Sequence, residues 1–165
     1  METINRITVS SPIVGRHYTF IYCLYFYHQA EQEGIVYIGE TDAQNGPLGR
    51  LSYHLQLNGT FYTRCYEKAR INIDLISDDI HMLVVCLDNH PEFCGDVNKT
   101  NRLALEYFVH IKMQEYSVAD QTVIPFEVVS NVTIAKRHAT NEQFQAIASS
   151  IADSFFQSMP FICEE

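Results

Sequence analysis

The sequence predicts an α/β fold in which an antiparallel strand pair and a third buried strand are combined with helices. Three observations carry this. Thr19 to Tyr27 is an unbroken apolar and aromatic run, Ile35 to Gly39 repeats the strand signal after a short polar link, and Ile80 to Leu87 is a third such run among segments of helical periodicity. A segment apolar at every position suits a central strand covered on both faces, because a strand with one wet face alternates. The link His28 to Gly34 is too short for the crossover that a parallel return needs, so an antiparallel pair is the simplest connection.

Gly46-Pro47 breaks the chain after the second strand, and Leu48, Leu51 and Leu55 then recur at helical spacing until Asn58-Gly59 stops the pattern. This predicts a short amphipathic helix held to the sheet by its leucine stripe. A weaker helical stretch follows from Tyr62 to Ala69, and a longer helix covers Asn101 to Met113. After a strand at Phe126 to Val132, a last helix runs from Asn141 to Ser158. The resulting order of the main elements is β-β-α-β-α, within a single domain of residues 1–165.

A chain of 165 residues that is 47% hydrophobic can bury a real core. No Pro-rich linker or repeat divides it. Met1 to Ser11 has no apolar run behind a basic cluster, and no stretch approaches the roughly 18 apolar residues of a membrane span, so a cytoplasmic protein without membrane contact is expected. The five cysteines are odd in number and form no C-x-x-C pair, which reads as free thiols. Cys86, His90 and Cys94 could give zinc three ligands, but a closed structural site wants a fourth and none is evident.

The net charge of −9 argues against a uniformly basic nucleic-acid surface. Its distribution softens that. Between Asn45 and Ile73, Arg50, Arg64, Lys68 and Arg70 face Glu67 alone, a local charge of +3, and an acidic block from Asp74 to Asp96 follows. A positive groove on an acidic body is therefore expected, with Arg64, Lys68 and Arg70 as substrate-binding residues.

Within the predicted elements, several polar groups are placed for chemistry. Arg50 and His54 lie on one helix face and can reach the same phosphate. Tyr22 and Tyr37 on paired strands converge if both point to one side. Arg102, Glu106 and His110 recur at i, i+4 and i+8 as a polar stripe on an otherwise apolar helix. Such a stripe is either a surface face with an ion pair worth about 0.3–0.5 kcal/mol or the wall of a cleft.

With Phe20-Ile21-Tyr22 on the first strand, Tyr37-Ile38-Gly39 on the second, Arg50 and His54 on the next helix and Glu106 on the later one, the sequence resembles the GIY-YIG nuclease superfamily. The second tripeptide is intact, and the first carries Phe20 in place of glycine. The resemblance covers a core of residues 18–118, with residues 119–165 as a C-terminal strand and helix extension, and it implies a small three-stranded antiparallel sheet flanked by helices. It also implies a metal-dependent endonuclease with catalytic residues Tyr22, Tyr37, Arg50, His54 and Glu106, acting on DNA in preference to RNA. Glu106 would hold one Mg²⁺ or Mn²⁺, Arg50 would neutralise the phosphate, and Tyr22 would orient or deprotonate the water, with His54 as relay or second-choice base. Tyr37 would complete the hydrogen bonding. A phenol of ordinary pKa about 10 is a poor base at neutral pH, so nearby cations are expected to lower that of Tyr22. A homodimer would allow double-strand cutting. Two departures stand out: Val118 occupies the place of an asparagine common in the family, with Asn131 as a potential substitute, and Glu40 adds a negative charge beside a phosphate site. Together with the net charge, they leave open an alternative, a weakly active or inactive scaffold that works as an acidic binding or regulatory partner.

Overall fold

The computed structural model describes residues 18–56, 58–72, 79–119, 124–132 and 141–159. Strands β1 (Phe20–His28) and β2 (Glu33–Thr41) pair antiparallel, in register from Phe20 opposite Thr41 to His28 opposite Glu33. On the other side of β1 lies β3 (His81–Cys86), also antiparallel. A fourth strand, β4 (Phe126–Val128), runs parallel to β2 alongside Gly34 to Val36, giving the order β3-β1-β2-β4. The class is α/β as predicted, but the sheet is four-stranded and mixed where three antiparallel strands were expected. The predicted strand at Phe126 to Val132 ends at Val128 and joins the sheet itself. Its direction follows from the long path through β3 and the following helix, which returns the chain to β2 pointing the same way.

The helices are α1 (Gly46–His54), α2 (Thr60–Arg64, continued by a π turn at Cys65–Ala69), α3 (Lys99–Ser117, after 3₁₀ turns at Pro91–Phe93 and Asp96–Asn98) and α4 (Glu142–Ser158). Asn141 caps α4, its side-chain oxygen accepting from the Phe144 N–H at 3.1 Å. No helix among the described residues is long and apolar enough to cross a membrane.

The two faces of the sheet build two cores. Ile21, Cys23 and Tyr25 with Val36 and Ile38 face α3 and α4, where Leu105, Val109, Ile151 and Phe155 complete the larger cluster. Tyr22, Leu24 and Phe26 with Ile35 and Tyr37 form the second, closed by Phe61, Cys65 and Val129. Burial on both sides is why β1 shows no polar alternation. The leucine stripe of α1, however, does not anchor that helix. Leu48 and Leu51 are half-buried and Leu55 is exposed, whereas Gly46, Pro47 and His54 are its buried positions. Leucine spacing marks a face, but this helix turns its histidine toward the sheet because a polar partner waits there, as described below.

The edge of β2 is only half covered by a strand. Gly34 N–H donates to Pro125 O, and Val129 N–H donates to Val36 O, so the even-numbered residues of β2 direct their backbone groups toward β4. Beyond Val36, no strand continues this pairing among the described residues. Helix α3 packs against both β2 and β4 and takes over that edge.

Phe155 is 2% exposed on α4. Phe155→Ala should cost about 3–5 kcal/mol, measured as a lower urea midpoint at unchanged m-value. A midpoint equal to that of the wild type would show that α4 is not part of the cooperative core.

Candidate active site

The alternation of side chains along a strand puts Tyr22 and Tyr37 on the same face, with Tyr22 opposite Gly39 and Leu24 opposite Tyr37. Both rings are buried. The Tyr22 ring crosses directly over Gly39: a Cβ there would lie 2.3 Å from both Cζ and the hydroxyl oxygen. This is the physical reason for the glycine in Tyr37-Ile38-Gly39. At the end of α1, a Cβ on Gly59 would lie 2.1 Å from the His54 carbonyl oxygen, so only glycine lets the chain fold back so tightly beneath the histidine.

The Tyr22 hydroxyl and His54 Nε2 are 2.7 Å apart in a buried hydrogen bond. Tyr37 presents its ring to the same imidazole, centroids 4.9 Å apart at 62°. Arg50 donates to the Tyr22 hydroxyl from the turn of α1 before His54. Burial and then Arg50 lower His54 to about 4, so its imidazole is neutral at pH 7. Tyr22 moves the other way from the expected lowering. Burial and then Tyr37 raise it well above the usual phenol range, outweighing the opposing pull of Arg50. Tyr37 is pushed up to about 12 by burial and then by Glu106. At neutral pH, Tyr22 thus keeps its proton and the His54 imidazole is neutral, so either group can donate in the bond between them. His54 Nδ1 and Arg50 Nε are buried atoms without a hydrogen-bond partner.

The stripe on α3 lines the uncovered edge of β2. Arg102 Nε donates to Glu40 Oε2 at 2.9 Å, and its terminal nitrogen donates to Phe93 O at 3.0 Å and Gly95 O at 2.6 Å. The same guanidinium lies 3.5 Å from Asp42, which also accepts from Thr19 Oγ1 at 2.8 Å. One turn on, the Glu106 carboxyl lies near the backbone N–H of Glu40, one of the even-numbered groups that β4 leaves unpaired. Burial, reinforced by Glu40, pushes the Glu106 carboxyl up to about 8, against the pull of Arg50 and this N–H. At the far end, His110 Nδ1 and Ser130 Oγ are 2.6 Å apart. The stripe is therefore largely buried and not a solvated surface face, and Arg102 pairs with Glu40 and Asp42 across elements.

Tyr22, Tyr37, Arg50, His54 and Glu106, from β1, β2, α1 and α3, are brought together: each acts electrostatically on others of the set. Arg64 is near enough to act on Tyr37, and pairs with Glu67. Lys68 donates to Ser130 O at 2.6 Å, beside His110. Arg70 ends the π turn in the left-handed conformation, φ 61°, with its side chain exposed. Val118 is exposed at the end of α3, and Asn131 is exposed just past β4. The Arg102–Glu40–Asp42 network went unread in the sequence, although Arg102 stands one turn before Glu106 and Glu40 directly follows Gly39. The Cys86, His90, Cys94 spacing gathers no metal cluster among the described residues: Cys94 Sγ donates to Leu87 O and His90 O, each at 3.5 Å. Asp74 and Asp78 of the acidic block lie outside the described residues.

Gly39→Ala should drive the Tyr22 ring off its seat and destabilise the fold by about 1–3 kcal/mol; an unchanged urea midpoint would contradict the contact. Glu106 carries a pH signature. Its folded carboxyl holds a proton up to about 8 while the unfolded one releases it near 4.5, so the folded state binds more protons in that window and loses stability as pH rises. The slope is at most about 1.4 kcal/mol per pH unit. In EDTA, Glu106→Gln should therefore gain stability relative to wild type as pH rises through this window, and parallel pH profiles of the two urea midpoints would refute it.

Comparison with protein-family models, curated proteins and solved structures finds no match to this chain.

Proposed function

We propose that this chain is a metal-dependent endonuclease that hydrolyses phosphodiester bonds in DNA, with Tyr22, Tyr37, Arg50, His54 and Glu106 as its site. The observation that carries this reading is the convergence of a buried carboxyl, a guanidinium and a hydrogen-bonded tyrosine–histidine pair from four separate elements. A hard divalent cation would be held by Glu106 with water and phosphate oxygens, since no three metal-ligating side chains gather among the described residues and Glu40 is committed to Arg102. This buried carboxyl ionises at neutral pH only with more positive charge than Arg50 supplies. When bound, Mg²⁺ or Mn²⁺ would polarise a phosphoryl oxygen and acidify a water.

The chain's own groups supply the rest. The unpartnered Arg50 Nε is a donor left for a phosphate oxygen, suited to the forked geometry of a guanidinium. Tyr22 takes a proton from the attacking water at its hydroxyl oxygen while passing its own to His54 Nε2. The neutral imidazole has room for it, and Arg50 steadies the oxygen between the two transfers. Tyr37 packs edge-on against His54 and fixes the ring. Glu40, the charge that would oppose a phosphate, is tied back by Arg102. The net charge of −9 favours a second reading, an acidic binding or regulatory protein on the same scaffold.

The two separate in one assay. Supercoiled plasmid at low salt should be nicked by wild type with Mg²⁺ or Mn²⁺ and not with EDTA, and Glu106→Gln should lose about 100-fold or more of that rate. At limiting metal the rate should climb as pH approaches about 8, because the proton on Glu106 competes with the ion. Metal-independent nicking, or a Glu106→Gln variant as fast as wild type, would sink the nuclease reading; no cleavage under any condition would favour the binding protein.

A further inference from the structure

Tyr53 and Tyr66 stand out to solvent, 49% and 60% exposed, where most described tyrosines are buried or half-buried. Both belong to the α1–α2 layer that covers the site face of the sheet. Tyr53 directly precedes His54, ring centroids 6.1 Å apart, and the Arg50 guanidinium lies 5.9 Å from the centre of its ring. Tyr66 lies in the π turn between Arg64 and Lys68, next to the buried Cys65 that pins the turn to the core. In chain order through this layer, cations and exposed rings follow one another as Arg50, Tyr53, Arg64, Tyr66, Lys68 and Arg70, with Lys68 donating to Ser130 O. Glu67, the acid among them, is paired with Arg64.

Tyr53 keeps about half its surface in water and Tyr66 more than half, and a flat aromatic face receives any base while neighbouring cations follow the phosphates. A duplex keeps its base faces inside the stack and offers neither ring a partner. We propose that the α1–α2 layer is a stacking surface for an unpaired DNA strand, with Tyr53 and Tyr66 each receiving a base and Arg64, Lys68 and Arg70 tracking the backbone toward Arg50. The substrate is then a single strand or a junction with unpaired nucleotides beside the scissile phosphate. This assignment rests on the phosphodiesterase reading for what happens at the end of the track, but the stacking itself is read by binding alone.

The test uses the full chain in EDTA, where no cutting occurs, with a fluorescein-labelled oligo-dT strand and a hairpin duplex of equal charge at low salt. Anisotropy should show the strand bound more tightly than the duplex. Tyr53→Ala and Tyr66→Ala should each weaken strand binding about 5- to 150-fold, and the Phe variants should retain it. A 2-aminopurine placed in the strand should lose emission on binding to wild type and keep more of it with either Ala variant. Equal or tighter duplex binding, wild-type affinity in both Ala variants, or no strand binding would overturn the inference. If plasmid nicking persists in that case, the nuclease reading stands without it. Tyrosine-dependent strand binding by a protein that cuts nothing would leave the stacking surface standing and remove the nuclease.

Discussion

The contact on which the site depends is the passage of the Tyr22 ring over Gly39. Backbone pairing sets the two residues opposite each other, and the missing side chain lets the phenol lie flat across the neighbouring strand with its hydroxyl at the depth of α1. That depth determines what α1 must bring. A helix seated by leucines alone would meet the hydroxyl with hydrocarbon and leave it unsatisfied, at a cost of about 1–3 kcal/mol. Instead His54 is buried and takes the bond, while Leu48 and Leu51 are half-buried and Leu55 is exposed. One close approach between strands thus fixes the rotation of a helix.

Electrostatics then sorts the acids. Three carboxylates, Glu40, Asp42 and Glu106, gather at the end of β2, where they would repel one another. Arg102 sits 3% exposed at the base of α3 and holds Glu40 and Asp42 together, with its remaining donors on two backbone carbonyls. Glu106 is left as the carboxyl whose charge the fold does not match. A buried acid in that condition is costly unless it stays protonated or gains a cation, and perturbed groups of this kind concentrate at sites of chemistry.

Much of this was legible in the chain because it rests on short-range pattern. The apolar run at β1, the helix starting near Asn101 and the last helix after Asn141 follow from periodicity and capping, which are local. Tyr22, Tyr37, Arg50, His54 and Glu106 were singled out by the family resemblance, and the fold brings these five side chains together. What escaped depends on the path of the chain through space. Phe126–Val128 shows a strand signal in sequence, but nothing local states that its partner is β2 or that the pair is parallel. The rotation of α1 was misread because leucine spacing says where apolar groups lie, not which face a buried hydroxyl will claim. The expected lowering of the Tyr22 pKa considered its cations and omitted its burial, the larger influence. The Arg102 network joins residues 62 apart in sequence, and only the stripe of which Arg102 is one end hinted at it.

The shortness of β4 has a consequence for how this fold can change. A sheet grows by adding ladder bonds, and β4 would have to continue three residues further, to Asn131, for a carbonyl to take the Glu40 N–H into an ordinary strand pairing. Here that N–H faces Glu106 instead. Sheet extension and the acidic site therefore compete for the same stretch of edge, and a longer strand would stabilise the scaffold while covering the carboxyl. The ragged edge is the part of the architecture that sequence drift can least afford to tidy.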